Sequence, residues 1–111
     1  VISLVFAGAE GGRVHLFLTP GGRMVDAARA AALAGGPLGR ADPAAVRAAT
    51  GFAIGGVAPV GHPAPLPVWI DPALMDFARV WAAAGTPRHV FAIAPAELVR
   101  ISGARLAPFA A

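Results

Sequence analysis

Apolar and polar positions alternate most clearly near the start of the chain. The apolar run VISLVFAG, residues 1–8, is followed by turn residues and then by RVHLFLT, residues 13–19, in which apolar and polar side chains face opposite ways. This pattern predicts a β-hairpin. Three later runs also predict strands, namely LPVWI at 66–70, VWAAAG at 80–85 and HVFAIA at 89–94.

Helices are predicted where an aspartate or a proline precedes an alanine-rich segment. Asp26 can cap AARAAALA, Asp42 precedes PAAVRAAT, Asp71 precedes PALMDFA, and Pro95 opens PAELVRIS. Strands and helices mix without a regular βαβ alternation. The predicted fold class is therefore α+β with a largely antiparallel sheet, rather than a Rossmann sheet.

The composition sets limits on size, location and partners. The 111 residues, 57% of them hydrophobic, are expected to form one domain over 1–111. Cysteine is absent, which excludes disulfides and thiolate metal sites. The net charge of +3, carried by arginine alone, permits an anionic partner without requiring one. The longest uncharged run, residues 48–70, is interrupted by prolines and glycines, so no membrane span is expected.

Most side-chain mechanisms are excluded by what the sequence lacks. Without lysine there is no Walker A motif, and the glycine spacing of residues 51–56 does not fit GxGxxG. Three scattered histidines give no metal-binding spacing, so neither a metal nor a cofactor is expected. Thr50 and Ser102 each precede a glycine and are interpreted as helix ends rather than nucleophiles.

One segment remains as a candidate site, TGFAIGGVAPVGHP at residues 50–63. The pair Gly55 and Gly56 allows a ligand to approach the main chain closely, and consecutive N–H groups can form an anion nest or an oxyanion hole. Pro59 and Pro63 would stiffen the loop, and His62 can titrate near neutral pH. The alternative interpretation is a connector whose histidine faces solvent.

Two long stretches of this sequence resemble a known family. ADPAAVRAATGFAIGGVAPVGHPAPLPVWID and VWAAAGTPRHVFAIAPAELVRISGARLA are similar to the YbaK/EbsC aminoacyl-tRNA deacylases, relatives of the editing domain of bacterial prolyl-tRNA synthetases. The resemblance implies a curved, mainly antiparallel mixed sheet flanked by short helices. It also implies a cytoplasmic bacterial hydrolase that needs no cofactor and acts on mischarged aminoacyl-tRNA, with prolyl-tRNA synthetase as a further partner.

The resemblance also implies roles for particular residues. The family's GxxxP motif falls on residues 55–59, so Gly55, Gly56, Val57 and Pro59 are the expected catalytic residues, with backbone groups at the aminoacyl carbonyl. Water is expected to attack with help from the ribose hydroxyl of the substrate. Substrate contacts are expected from Ile2, His62, Gly85 and Thr86, and tRNA contacts from Arg23 and Arg88.

One position departs from the family pattern. Where many members have the lysine of a KSLVF motif, this chain has Ile2 in VISLVF. Either the site works without that cation, or an arginine supplies the charge, or the protein binds an aminoacyl-adenosine or a tRNA 3′ end without turnover. The N-terminal helical segment of the family is also not seen in this sequence. The leading interpretation is deacylation of Ala-, Cys- or Ser-charged tRNA(Pro), and binding without turnover is the alternative.

Overall fold

A five-stranded mixed sheet lies at the centre of the protein, in a computed structural model that describes residues 1–8, 13–86 and 88–111. Its strand order is β3-β1-β2-β4-β7, and a separate hairpin pairs β5 with β6. Within the described residues the strands are β1 (Ile2–Gly8), β2 (Val14–Thr19), β3 (Leu38–Arg40), β4 (Val68–Ile70), β5 (Val80–Ala83), β6 (Val90–Ile93) and β7 (Arg105–Leu106).

The strand directions confirm the predicted fold class. β1 pairs antiparallel with both β2 and β3, whereas β4 runs parallel to β2 and to β7. The β5–β6 pair is also antiparallel, so antiparallel pairings predominate. The strand predicted at 66–70 is shorter in the structure because Pro67 has no N–H to donate to a neighbouring strand.

Three α-helices form where the sequence predicts them: α1 (Ala27–Ala34), α2 (Pro43–Thr50) and α3 (Pro95–Ser102). Asp26 accepts a hydrogen bond from the Arg29 N–H at 3.0 Å, and Asp42 accepts one from the Ala45 N–H at 2.8 Å. These bonds satisfy main-chain donors that have no partner inside the helix. No helix in the described part of the chain is long and apolar enough to cross a bilayer.

The helix predicted for PALMDFA is a 3₁₀ helix, Pro72–Asp76, and it ends earlier than predicted. Its hydrogen bonds join residues three apart, from the Leu74 N–H to the Asp71 C=O at 3.0 Å and from the Phe77 N–H to the Leu74 C=O at 3.4 Å. The backbone of Phe77 is extended, with a φ of −92° and a ψ of 146°, so the helix ends at Asp76.

Apolar side chains pack against both faces of the sheet. On one face Leu16, Leu18 and Ile70 are fully buried, and Val46 of α2 and Leu98 of α3 belong to the same cluster. On the other face Phe17 is fully buried between Phe6 and Phe109, with both ring pairs edge to face. Ala30 of α1 completes this second cluster.

A histidine and a tryptophan form a polar pair on the α1 face of the sheet. The Trp69 Nε1–H donates to His15 Nδ1 at 3.2 Å, and His15 is only 8% exposed. Burial, together with the charge of Arg13, lowers the pKa of His15 below its ordinary value. The neutral imidazole is thus the favoured form in the folded protein, with its proton on Nε2 because Nδ1 accepts.

We predict that this pair makes stability depend on pH. Because the pKa of His15 is lower in the folded than in the unfolded chain, the unfolded chain binds the proton first as pH falls. The free energy of unfolding should therefore decrease below about pH 6.5, the ordinary histidine value, and be constant above pH 7 as far as His15 is concerned. Urea denaturation at pH 7 and pH 5 measures this.

His15→Asn is the control, because the amide oxygen can accept from Trp69 without titrating. His62 and His89 remain in both proteins, so the difference between the two pH profiles isolates His15. A variant that loses as much stability as the wild type between pH 7 and pH 5 would contradict the assignment.

Candidate active site

The first half of β1 has an open edge. β3 pairs only with Phe6–Gly8, and just before this segment the Val5 C=O accepts from the Ala41 N–H at 3.5 Å. Main-chain groups point alternately to the two sides of an antiparallel strand, so those of Ser3 point to the same side as those of Val5. No strand of the described residues pairs with Ser3 on that side, and its main-chain groups are available to a ligand.

A cavity of about 380 Å³ lies against this open edge. Its volume falls in the range of pockets that hold small molecules, and its wall is mainly apolar. The exposed side chains of Met24 and Ile54 lie at the cavity. The residues that line it are Ser3, Leu4, Val5, Phe6, Arg23, Met24, Val25, Arg40, Ala41, Val46, Ile54, Gly55 and Val57.

The glycine-rich loop forms a tight turn at the cavity. The Gly56 N–H donates to the Ala53 C=O at 3.0 Å, and Gly55 has a φ of 91°. A positive φ at the third position of a turn with this hydrogen bond is typical of a type II turn, which favours glycine there. Gly55 is thus required by the backbone conformation of the loop.

Three polar groups at the cavity have no partner among the described residues. The N–H groups of Gly55 and Val57 make no hydrogen bond there, whereas the Gly56 N–H is used by the turn. The Ser3 Oγ is buried and also unpaired. Buried polar groups are nearly always satisfied in folded proteins, so the Ser3 Oγ is suited to a polar ligand. The N–H groups of Gly55 and Val57 are free to donate to the same ligand as far as the described residues go.

Positive charge reaches the cavity from two arginines. Arg23 and Arg40 both line it. Arg23 Nη1 lies 3.7 Å from Oδ2 of Asp71, whose side chain is only 5% exposed. Oδ1 of Asp71 accepts from the Ala73 N–H at 2.9 Å, so the 3₁₀ helix fixes the carboxylate. Oδ2 forms an ion pair with the half-exposed Arg23 without a hydrogen bond. The guanidinium groups of Arg23 and Arg40 could therefore bind an anionic or carbonyl-bearing ligand in the cavity.

His62 and Gly85 meet around Phe52, behind the turn. The His62 Nε2–H donates to the Ala58 C=O at 2.8 Å, which braces the loop from Ala58 onward. The ring of His62 lies edge to face with Phe52, and a Cβ on Gly85 would come within 3.2 Å of the same ring. These contacts support the loop from outside, since neither His62 nor Gly85 lines the cavity.

The other residues expected at the site lie elsewhere. Ile2 is 44% exposed at the start of β1, and Pro59 is buried in the loop, and neither lines the cavity. Thr86 and Arg88 are exposed in the turn between β5 and β6, and Pro87 of the GTP segment lies outside the described residues. Within the described residues no group of three metal-ligating side chains comes together.

The sequence did not point to the roles of Ser3, Arg40 and Asp71 at the cavity. Ser3 is the one polar residue within the run VISLVF, which is the signal that could have singled it out. Arg40 depends on β3, which is too short to predict from the pattern. Asp71 was interpreted only as a helix cap, although its second oxygen faces Arg23.

Comparison with known proteins places the chain in a family. The model of the aminoacyl-tRNA editing domain matches residues 1–101. The chain belongs to the aminoacyl-tRNA editing domain family. The family resemblance identified in the sequence is thereby confirmed.

Three solved structures share the fold over the whole of this chain. One, a candidate trans-editing enzyme for prolyl-tRNA synthetase, is 49% identical with a TM-score of 0.93, covering 100% of this chain and 69% of that chain. A second, from work on computational epitope backbone grafting onto scaffold proteins, is 47% identical with a TM-score of 0.92, covering 100% and 73%. A third, a hypothetical protein, is 28% identical with a TM-score of 0.89 and the same coverage as the second.

We predict that Gly55→Ala destabilises this editing domain because Gly55 has a positive φ of 91°. A left-handed conformation costs a residue with a Cβ about 1–2 kcal/mol, so the free energy of unfolding should fall by about that amount. Gly35→Ala is the matched variant, because Gly35 has a φ of 82° and open space around a Cβ. Gly36→Ala, also with open space and without a positive φ, should change stability least. Urea denaturation measures the stability of all three variants. A free energy of unfolding unchanged by Gly55→Ala would contradict the positive φ assigned to Gly55 in the turn.

Proposed function

We propose that the protein hydrolyses the ester that joins a mischarged small amino acid, of the Ala, Cys or Ser class, to the 3′-terminal adenosine of tRNA, with tRNA(Pro) as the substrate. The observation that carries this proposal is the cavity at the open edge of β1, where the glycine-rich loop presents the unpaired N–H groups of Gly55 and Val57. The family and the trans-editing relative support it.

The chemistry needs main-chain donors more than reactive side chains. Water adds to the ester carbonyl, and the carbonyl oxygen becomes an oxyanion. The N–H groups of Gly55 and Val57, which have no partner among the described residues, would donate hydrogen bonds to it. The C–O bond to the ribose then breaks, and the ribose oxygen takes the proton that water loses. The amino acid and the free tRNA 3′ end are released. A single donor of this kind lowers the barrier by roughly 3 kcal/mol.

Of the explanations for the missing family lysine, the structure supports the one in which an arginine supplies the positive charge. In place of a lysine at Ile2, Arg23 brings a guanidinium to the cavity, where it forms an ion pair with Asp71. Because Arg23 is half-exposed at the cavity, it can meet a phosphate or the ester from the solvent side. We assign it substrate binding, and therefore an effect on KM more than on kcat.

Binding of the tRNA 3′ end without turnover is the second candidate, and the exposed Ile2 at the lysine position favours it. The two candidates share the cavity and differ only in whether the ester is broken. A direct assay of ester hydrolysis therefore separates them.

We predict that the purified protein deacylates Ala-, Cys- or Ser-charged tRNA(Pro) faster than the uncatalysed background. Gly56→Ala should lower kcat by roughly 10- to 100-fold, because a Cβ beside Gly55 and Val57 displaces the donors from the oxyanion. Arg23→Gln should raise KM, and Arg79→Gln, which removes the same charge from an exposed arginine outside the cavity, should leave both constants unchanged. Release of labelled amino acid measures the rates.

Far-ultraviolet circular dichroism of each variant confirms that it folds. If the protein hydrolyses none of the charged tRNAs above background but still binds uncharged tRNA, the protein is a binding module rather than a deacylase. If Arg23→Gln and Arg79→Gln raise KM equally, Arg23 contributes only to the net charge of the protein and does not contact the substrate.

A further inference from the structure

A second cleft of about 380 Å³ lies on the α1 face of the sheet. We call it the Trp69 cleft. None of the residues that line it lines the cavity at β1, so the two sites are separate. Its principal lining residues are Arg13, His15, Leu33, Trp69 and Arg105, together with the segment 65–67.

Two arginines give the Trp69 cleft its charge. Arg13 and Arg105 both line it, and Arg105 Cζ lies 5.9 Å from the centre of the Trp69 ring. No carboxylate of the described residues lies within ion-pair distance of either guanidinium. Two guanidinium groups that have no ion-pair partner in the described part of the chain favour an anion, and guanidinium geometry matches the oxygens of a phosphate.

The aromatic and polar groups of the Trp69 cleft are already oriented. The hydrogen bond from Trp69 Nε1 to His15 Nδ1, at 3.2 Å, fixes the indole against β2. Because Nδ1 accepts, a neutral His15 carries its proton on Nε2, and that N–H has no acceptor among the described residues. The cleft thus combines an apolar wall, a fixed indole ring, two positive charges and one neutral donor.

We propose that the Trp69 cleft binds the phosphate of a nucleotide, with Arg13 and Arg105 on the phosphate and Trp69 against the base. Arg105 Cζ lies over the indole at 5.9 Å from the ring centre, and Trp69 is only half-buried. A phosphate bound to Arg105 would therefore bring its attached base to the exposed part of the Trp69 ring. Stacking of bases on aromatic side chains tolerates any base, because each has a π face. The nucleotide is either free or part of an RNA strand, and the two sources share this chemistry.

This proposal does not depend on ester hydrolysis. It predicts binding of nucleotides that carry no amino acid, at residues outside the cavity at β1. Loss of deacylation would therefore leave it standing, and an active deacylase without binding in the Trp69 cleft would contradict only this proposal.

The test uses the fluorescence of Trp69. Trp81 is the other tryptophan and is 56% exposed on β5, so Trp81→Phe leaves Trp69 as the sole reporter. This variant is titrated with AMP, with inorganic phosphate and with a short uncharged RNA hairpin. We expect a saturable change with AMP or with the hairpin, and weaker binding of inorganic phosphate, which has no base to stack.

Substitutions of the arginines decide whether the signal comes from this cleft. Arg105→Gln and Arg13→Gln should each weaken binding about tenfold, as expected for loss of a charge-assisted hydrogen bond. Arg79→Gln, with the same loss of charge outside the Trp69 cleft, should bind as the parent does. If the hairpin binds, its affinity should fall as salt rises. The slope of log affinity against log salt should be about −0.7 for each phosphate that the protein neutralises.

Saturation by AMP supports a free nucleotide as the source, and saturation by the hairpin alone supports RNA. Saturation by neither, or binding that survives both Arg13→Gln and Arg105→Gln, overturns the proposal. Phosphate binding as tight as AMP binding would contradict the contact between base and Trp69. Calorimetric titration of the unsubstituted protein gives the same comparison if Trp81→Phe does not fold.

Discussion

The early end of β3 is the constraint on which the candidate active site depends. The antiparallel register pairs Gly39 with Ala7 and Arg40 with Phe6, and continued pairing would bring Pro43 opposite Ser3. Asp42 and Pro43 instead begin α2, and proline has no N–H for a strand pairing. The edge of β1 therefore stays open at Ser3. The signal that starts a helix thus also creates the free strand edge against which the cavity forms.

The chemistry of the site follows from this backbone arrangement. α2 leads from the end of β3 to the glycine-rich loop, and the turn at Gly55 directs the loop toward the open strand edge. The proposed function uses main-chain donors, and it therefore requires no lysine, a residue that this sequence lacks. Asp71 forms an ion pair with Arg23, and buried Thr50, whose hydroxyl donates to the Val46 C=O at 2.7 Å, fixes the end of α2.

The sequence predicted the local structure better than the arrangement of the site. The α1, α2 and α3 boundaries follow from aspartate caps, prolines at first helical positions and terminal glycines, which act within a few residues. The proximity of Ser3, Arg23 and Gly55 depends on strand pairings between distant segments, which no local pattern encodes. β3 and β7 have three and two residues, too few for a period to be visible. Which N–H groups of the loop are used by the turn, as that of Gly56 is, also depends on backbone geometry that no local pattern encodes.

In the proposed function, main-chain groups of β1 and of the glycine-rich loop bind the aminoacyl end of the substrate. Amide chemical shifts of ¹⁵N-labelled protein, recorded during titration with alanyl-adenosine joined by a non-hydrolysable amide, test this binding most directly. This ligand carries no phosphate. We expect saturable shifts of the Ser3, Gly55 and Val57 amides, with Gly103 and Arg105 at the Trp69 cleft unchanged. Saturable shifts that spare Ser3, Gly55 and Val57 would contradict it.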